Sequence, residues 1–304
     1  MLRLLPAPVL GVISSLLLAL NTLFWATPLL VLSLFKLLLP LVAVRRLVDR
    51  ALNALASNWI ACNSRWIAWI SAAPWDVDGV DALRPGGWYL LNCNHQSWVD
   101  IFVLQKVFNR RIPMLKFFLK QQLIWVPVIG LVWWALDFPF MRRHSQAAIR
   151  RKPALRLQDL ETTRRSCARF ALLPTSVMNF AEGTRFRAAK HAAQQSPYRH
   201  LLRPKAGALA LALNVMGEQF SALLDISIVY PDRTPSYWDL ACGRGGRVIV
   251  RVRQREIPAD LVGGDYSGDP DYRRRFQAWL GAQWSEKDAL IDGLIADHRR
   301  SSPG

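Results

Sequence analysis

His95 and Asp100 are separated by four residues and form the segment of this sequence that is best suited to catalysis. On a regular helix the steps between them turn the chain by about 500°, so their side chains would point roughly 140° apart. They meet only if His95 lies in a turn and Asp100 in the first turns of the next helix, with Asn94 or Ser97 as cap. A carboxylate that holds one imidazole nitrogen leaves the other free to accept a proton, which makes His95 a candidate general base. The alternative is a capping histidine beside a solvated aspartate.

A second polar segment, Glu182 to Arg185, follows an apolar run of strand length, Ser176–Phe180. Gly183 permits a tight turn and the close approach of a ligand, while Thr184 and Arg185 offer hydrogen-bond donors. Arginine is a natural bidentate partner of phosphate. Glu182 could pair with Arg185 or orient a substrate hydroxyl. The alternative for the whole segment is a strand-ending turn with a surface ion pair.

Further cations follow another apolar run, Phe138–Met141, which ends in Arg142 and Arg143. Lys120 lies upstream of this run. Together these side chains could converge on an anion, because each offers a positive charge and hydrogen-bond donors. Contact with lipid headgroups is the alternative for each of them.

Short apolar runs bounded by turn residues recur after residue 75, and each has the length and composition of a strand. Helical patterns separate them, notably over Ala147–Phe170 and Lys205–Met216. This alternation predicts an α/β domain over residues 76–260, with a mostly parallel sheet and flanking helices, and it places the polar segments at strand ends. Residues 261–304 are predicted to form a C-terminal tail of one or two helices. The predicted strands are Trp88–Cys93, Ile112–Phe117, Leu136–Met141, Ser176–Phe180, Leu223–Tyr230 and Val248–Val252.

The N-terminal segment, residues 1–44, is predicted to lie in a membrane. Leu4–Phe35 contains no charged residue and exceeds the ~20 residues that cross a bilayer as a helix. It is either one long spanning helix or a hairpin of two helices, Val9–Trp25 and Leu29–Val44, that turns at Thr27-Pro28. Basic residues flank both ends and none lies at the turn, which favours the hairpin with both ends in the cytoplasm. Residues 45–75 have the spacing of an amphipathic interfacial helix.

The net charge is +17, from 39 Lys and Arg against 22 Asp and Glu, and it lies almost wholly after residue 44. A basic body on an apolar anchor suits a protein that lies on an anionic leaflet. Nucleic acid is not expected as a partner, because no zinc-finger, homeodomain or RRM-type signature accompanies the charge. The four cysteines are scattered without a C-x-x-C pair, which predicts reduced thiols and neither a metal site nor disulfides.

Together these segments resemble the PlsC-type 1-acylglycerol-3-phosphate acyltransferases over roughly residues 85–235. The sequence around the motifs is most similar to that of the bacterial YihG-type branch. Ala181 replaces the proline that is usual in the third block of this family. The order and spacing of several blocks make the resemblance strong. The matching blocks are Asn94–Asp100 with its His-x4-Asp pattern, Phe138–Arg143, Phe180–Arg185 and, loosely, Ile226–Pro231, with Lys120 between the first two.

The resemblance implies the transfer of an acyl chain from acyl-CoA or acyl-ACP to 1-acylglycerol 3-phosphate, which gives phosphatidic acid. His95, oriented by Asp100, would be the general base, and an activated thioester would require no cofactor, metal or covalent nucleophile. Ser97 is then a cap. The acceptor phosphate would be bound by Lys120, Arg143 and Arg185, and Glu182, Gly183 and Thr184 would shape its pocket.

A bacterial inner membrane, with the catalytic domain facing the cytoplasm, is the location that this resemblance and the charge pattern imply. Expected partners are the lysophospholipid, the acyl thioester, anionic lipids and, as a further candidate, acyl carrier protein. The run Leu123–Leu136 could line an acyl-chain tunnel, lie at the membrane interface or belong to the core. The functional alternatives are an acyltransferase for another lysophospholipid or lipid acceptor, and a membrane scaffold without catalytic activity.

Overall fold

A six-stranded sheet with helices on both faces follows two long N-terminal helices in the computed structural model, which describes residues 5–39, 41–71, 73–141, 151, 161 and 173–301. The helices are α1 (Ala7–Leu38), α2 (Val42–Ile70), α3 (Val99–Phe108), α4 (Ile129–Ala135), α5 (Ala188–Gln194), α6 (Gly207–Met216), α7 (Tyr237–Ala241) and α8 (Pro270–Ser301). The strands are β1 (Trp75–Asp78), β2 (Tyr89–Cys93), β3 (Leu115–Phe117), β4 (Leu119–Lys120), β5 (Phe140–Met141), β6 (Ser176–Phe180), β7 (Ala222–Val229) and β8 (Val248–Arg255).

The sheet has the order β1-β8-β7-β2-β6-β3, and its neighbouring strands are parallel except for the antiparallel pair β7 and β8. The predicted α/β class with a mostly parallel sheet is therefore confirmed. β2 lies between β6 and β7, and its residues are buried on both faces, as expected for a strand covered by helices. Cys93, which ends β2, pairs with Phe180, which ends β6. This register brings the loops after the two strands to the same edge of the sheet.

Helix α1 runs without interruption through Pro28, so the expected hairpin turn at Thr27-Pro28 is wrong. Proline removes one backbone donor, but neighbouring side chains can keep such a turn bonded in an apolar helix. Thr27 donates its hydroxyl to the carbonyl of Leu23 over 3.0 Å, one residue before Phe24, whose carbonyl lacks the N–H that Pro28 does not have. The chain reverses instead between α1 and α2, where Lys36 contacts Asp49 at 2.6 Å. Helix α1 is long and apolar enough to cross a membrane.

Helices α1 and α2 are joined to the domain by an ion cluster at this reversal. Lys36 contacts Asp49 and also Asp137, which lies in the loop between α4 and β5. Arg45 adds contacts of 3.9 Å to Asp49 and 3.6 Å to Asp137. The Lys36, Asp49 and Asp137 side chains are 12%, 12% and 11% exposed, so the cluster is largely shielded from water. The start of α2 is thus fixed to the segment that leads into β5.

Some elements differ from the sequence-based prediction. β1 was not predicted, and β5 is shorter than the predicted strand Leu136–Met141. The predicted helix Ala147–Phe170 lies outside the described residues except at positions 151 and 161. The predicted tail of one or two helices is the single helix α8, whose Phe276, Leu280 and Trp284 side chains are buried in the core. The C-terminal helix is therefore an integral part of the domain.

Candidate active site

The side chains of His95 and Asp100 meet as the spacing argument requires. His95 lies in the loop between β2 and α3, and Asp100 lies in the first turn of α3. Nδ1 of His95 is 2.8 Å from Oδ2 of Asp100. Because a carboxylate only accepts hydrogen bonds, Nδ1 carries the proton and Nε2 has a free lone pair. The geometric prediction for this pair is confirmed, and Nε2 makes no hydrogen bond within the described part of the chain.

The Asp100 carboxylate is held from several directions and is fully buried. Its Oδ2 also accepts the backbone N–H groups of Gln96 at 2.6 Å and Ser97 at 2.9 Å. Its Oδ1 accepts the hydroxyl of Tyr230 at 2.7 Å. A buried carboxylate with these donors needs no water, so it presents one fixed orientation to His95.

Ser97 is a structural residue. Its hydroxyl donates to the carbonyl of Pro235 and accepts the N–H of Val99 at 3.1 Å. The bond satisfies a free N–H at the start of α3, although Trp98 and not Ser97 occupies the N-cap position. A hydroxyl engaged in this way is not available as a nucleophile beside His95.

The loop after β6 wraps around the backbone of His95. The N–H of Phe186 donates to the carbonyl of His95 over 2.7 Å, and the imidazole stacks on Phe180 with 4.0 Å between ring centroids. Gly183 has φ +66°, a left-handed conformation that favours glycine, so this residue permits the turn. The two polar segments therefore form one continuous site.

Glu182 points into the protein. Its Oε1 accepts the N–H of His95 at 2.8 Å and its Oε2 accepts the N–H of Leu202 at 3.1 Å. Burial raises the pKa of Glu182 to about 7, and the bonds from His95 and Leu202 oppose that shift. The suggestions that Glu182 pairs with Arg185 or orients a substrate hydroxyl are wrong, because the carboxylate is fully buried and its two oxygens accept backbone N–H groups. Its contribution to the shape of the acceptor pocket stays a prediction. Glu182 holds the loop that carries His95.

The candidate phosphate-binding residues are only partly brought together. The guanidinium of Arg185 lies over the Trp98 ring at 4.9 Å, and Thr184 accepts a hydrogen bond from Lys190 at 2.5 Å. Lys120 is exposed at the end of β4, opposite Met141 of β5. Arg143, two residues beyond Met141, lies outside the described residues.

A largely apolar cavity of about 1070 Å³ extends from His95 between the N-terminal helices and the domain. This volume matches the upper range of small-molecule sites, ~300–1,000 Å³. From the run Leu123–Leu136, Leu123, Trp133 and Leu136 line the cavity. Trp125 of the same run is 84% exposed, so the run both forms a wall and presents a tryptophan to the surroundings. Other lining residues are Leu18, Thr22, Ile60, Phe102, Met114 and Phe138.

Comparison with known proteins places this site in a family. The family model described as Acyltransferase matches residues 75–230, just over half of the chain. The chain belongs to this acyltransferase family. The match contains the loops of His95 and Arg185 and also Tyr230, and it leaves out α1, α2 and α8.

Named relatives agree with this assignment. The chain is 22% identical over 240 residues to a mouse (Mus musculus) protein named 1-acyl-sn-glycerol-3-phosphate acyltransferase epsilon, covering 69% of this chain and 60% of the relative. It is 24% identical over 238 residues to the Saccharomyces cerevisiae protein named 2-acyl-1-lysophosphatidylinositol acyltransferase, covering 66% and 59%. The chain thus spans about 60% of the length of these curated relatives.

A solved structure is also similar to this acyltransferase. It is the crystal structure of the 1-acyl-sn-glycerophosphate (LPA) acyltransferase PlsC from Thermotoga maritima, with a TM-score of 0.47 and 16% sequence identity. The similarity covers 97% of this chain and 100% of the solved chain.

Sequence reasoning missed Tyr230 as a site residue of the acyltransferase. The residue lies in the loosely matching block Ile226–Pro231, one position after β7 ends at Val229. Because β7 is parallel to β2, its end lies at the same edge as His95. The available signal was this position at a strand end, and tyrosine has a hydroxyl that requires a partner when buried.

Proposed function

We propose that this acyltransferase moves an acyl chain from an acyl thioester, either acyl-CoA or acyl-ACP, to the free hydroxyl of 1-acylglycerol 3-phosphate, which gives phosphatidic acid. The observation that carries the proposal is the His95 imidazole, held at Nδ1 by a buried Asp100 and lining an apolar cavity. An imidazole in this environment is suited to accept a proton from a hydroxyl group.

His95 acts as the general base in this scheme. Its Nε2 takes the hydroxyl proton while the oxygen attacks the thioester carbonyl, so a C–O bond forms and the C–S bond then breaks. The imidazolium returns the proton to the thiolate that leaves. Asp100 stabilises the imidazolium through the Nδ1 bond, as the carboxylate does in other histidine dyads. Proton transfer of this kind contributes about 10²–10⁴-fold to the rate.

The remaining residues bind the two substrates. Arg185, whose guanidinium lies over Trp98, and Thr184 are proposed to offer donors to the acceptor phosphate, and Lys120 and Arg143 are proposed to add positive charge. The cavity between α1, α2 and the domain takes an acyl chain, because its walls are mainly apolar. The catalytic domain is proposed to lie on the cytoplasmic face of a bacterial inner membrane, anchored by α1.

The test is an acyl-transfer assay with the full-length protein in detergent or nanodiscs. Labelled acyl-CoA and acyl-ACP are offered separately with a panel of lysolipids that differ in headgroup, and products are identified by mass. We expect 1-acylglycerol 3-phosphate to be the preferred acceptor. Lysophosphatidylinositol belongs in the panel because a relative is named for that lipid class. A preference for it would replace the proposed acceptor, and transfer to no acceptor would leave the scaffold alternative.

His95→Ala and Asp100→Ala test the base, and each should lower kcat at least about 100-fold without unfolding the protein. A matched control is His200→Ala, because His200 also contacts an aspartate, Asp292, at 2.9 Å, in a different part of the domain. His200→Ala should retain turnover. Normal turnover in His95→Ala refutes the base assignment.

A further inference from the structure

The loop of His95 is connected to the C-terminal helix α8 through a chain of buried contacts. Glu182 accepts the backbone N–H of His95 with one oxygen and that of Leu202 with the other. The carbonyl of Leu202 in turn accepts the indole N–H of Trp284 on α8 over 3.0 Å. Glu182, Leu202 and Trp284 are fully buried, so water does not substitute for these partners. Helix α8 lies outside the segment that the family model matches.

Lys287 lies one turn after Trp284 and is also buried, with a side chain that is 0% exposed. Its ammonium group contacts Oδ1 of Asp225 at 2.6 Å and donates to the carbonyl of Ile226. Ile226 is the register partner of Cys93, the residue that ends β2 just before the site loop. A buried positive charge therefore lies beneath the sheet edge that carries the site.

The positive charge of Lys287 acts electrostatically on the Glu182 carboxyl. Burial raises the pKa of the Glu182 carboxyl, the hydrogen bonds from His95 and Leu202 lower it, the charge of Asp100 raises it further, and the charge of Lys287 lowers it. An ionised carboxylate accepts both N–H groups. A protonated carboxyl must use one oxygen as a donor, and it would release one of the two N–H groups.

Other titratable groups surround this region from each packed element. Asp225 of β7 lies against Lys287 and also contacts Arg255 of β8 at 3.2 Å. Burial raises the pKa of the Cys93 thiol of β2 well above its ordinary value, so that group stays neutral. Lys205 approaches Gly183, next in the chain to Glu182. Lys287 is the cation of α8 that acts on both Glu182 and Cys93.

We propose that Trp284 and Lys287 are positioning residues for His95. Trp284 fixes the Leu202 segment that Glu182 binds, and Lys287 joins α8 to Asp225 and to the carbonyl of Ile226, beside the end of the strand that leads into the site loop. The positive charge of Lys287 also favours the ionised form of Glu182, the form that accepts both N–H groups. This inference rests on the proposed function for the role of His95, but the contacts themselves can be tested without turnover.

The first test is a pH titration of the backbone amide of His95 by NMR, with the full-length protein selectively ¹⁵N-labelled at histidine. The amide signal is assigned with a His95→Gln sample. We expect it to shift with a midpoint near the Glu182 pKa of about 7. In Lys287→Met this midpoint should rise by about 0.5 pH unit or more, because the favourable charge is lost.

Arg255→Met is the matched control, because Arg255 contacts the same Asp225 but is not among the charges that act on Glu182. This variant should lose stability and keep the wild-type midpoint. An unchanged midpoint in Lys287→Met, or an equal shift in Arg255→Met, overturns the role of Lys287. Both results stand whether or not the protein transfers acyl chains to the lipids of the panel.

The second test uses Trp284→Phe, which keeps an aromatic ring and removes the N–H donor. We expect kcat to fall about 3- to 10-fold, the effect of one lost hydrogen bond, with the KM of each substrate unchanged. Trp279→Phe on the same helix is the control, since Trp279 is only partly buried at the edge of the core. Unchanged kcat in Trp284→Phe, or a rise in both KM values, overturns the positioning role of Trp284.

Should Lys287→Met not fold, Lys287→Arg replaces it in the pH titration of the His95 amide. The retained charge should keep the wild-type midpoint, and a raised midpoint contradicts the proposal.

Discussion

The hydroxyl of Tyr230 donates to Oδ1 of Asp100 over 2.7 Å, while the other carboxylate oxygen holds His95. Burial and the charge of Asp100 raise the pKa of Tyr230 well above its ordinary value, so the hydroxyl keeps its proton through the physiological range. A carboxylate bonded at both oxygens cannot rotate away from the imidazole. The orientation of the proposed base therefore depends on a residue at the end of β7.

Tyr230→Phe should lower kcat about 5- to 30-fold and leave both KM values unchanged, because a buried carboxylate oxygen loses its donor at a cost of about 1–2 kcal/mol. Steady-state kinetics and thermal unfolding together measure this effect. Tyr272→Phe is the control, since Tyr272 is equally buried and donates to the carbonyl of Leu261 at 2.8 Å. The control should lose stability but not kcat. Equal kinetic losses in the two variants would contradict the assignment.

Gly183→Ala should raise the KM for the phosphorylated acceptor several-fold. An L-residue in the left-handed region costs roughly 1–2 kcal/mol, and the new methyl group would lie 3.2 Å from Cδ of Lys205, so we expect strain in the loop that carries Arg185 and a displaced Lys205 side chain. Gly263→Ala is a matched control, with φ +74° and open space around the added carbon. Both variants should lose similar stability by thermal unfolding. An unchanged acceptor KM in Gly183→Ala would show that this loop does not bind the acceptor.

Ala19→Phe should shift the preference of the enzyme towards shorter acyl chains. Ala19 lines the cavity from α1, so a benzyl group there occupies space proposed for the far part of the chain. The measurement is competition between long-chain and short-chain acyl donors. Leu20→Phe is the control, because Leu20 is exposed on α1 and lies away from the cavity. The same chain preference in Ala19→Phe and the wild type would exclude this cavity as the acyl site.

Lys36→Met should destabilise the full-length protein by about 1–3 kcal/mol, because two largely buried carboxylates, Asp49 and Asp137, would lose the cation that contacts both of them most closely. Thermal unfolding in one detergent measures the loss, and Asp137→Asn completes a double-mutant cycle. Arg199→Met provides the contrast, since its ion pair is exposed and should contribute less than about 1 kcal/mol. Additive effects of Lys36→Met and Asp137→Asn would show that the cluster does not couple α1 to the domain.

The contact between His95 and Asp100 could be predicted because helix geometry allows only one way for residues at this spacing to meet. The meeting of the two polar segments could also be predicted, since parallel strands end at the same edge of a sheet. The bounds of β6 followed from its apolar run between turn residues. These features depend on local periodicity, which the sequence displays directly.

Other features depend on packing between distant segments and could not be predicted. Proline kinks or ends most helices that contain it, but here α1 continues through Pro28. Glu182 was expected to face a substrate, because its position after a strand does not reveal on which side of the loop its carboxylate lies. Lys287 and Asp225 become partners only after α8 packs under the sheet.

The cavity has consequences for how this protein can be handled. Part of its wall comes from α1 and α2, the same helices that carry the apolar outer surface. A version of the protein without α1 and α2 would keep His95. It would lose the helices that separate the cavity from solvent. For the acyl transfer proposed above, removal of the N-terminal helices would therefore open the proposed acyl site to solvent.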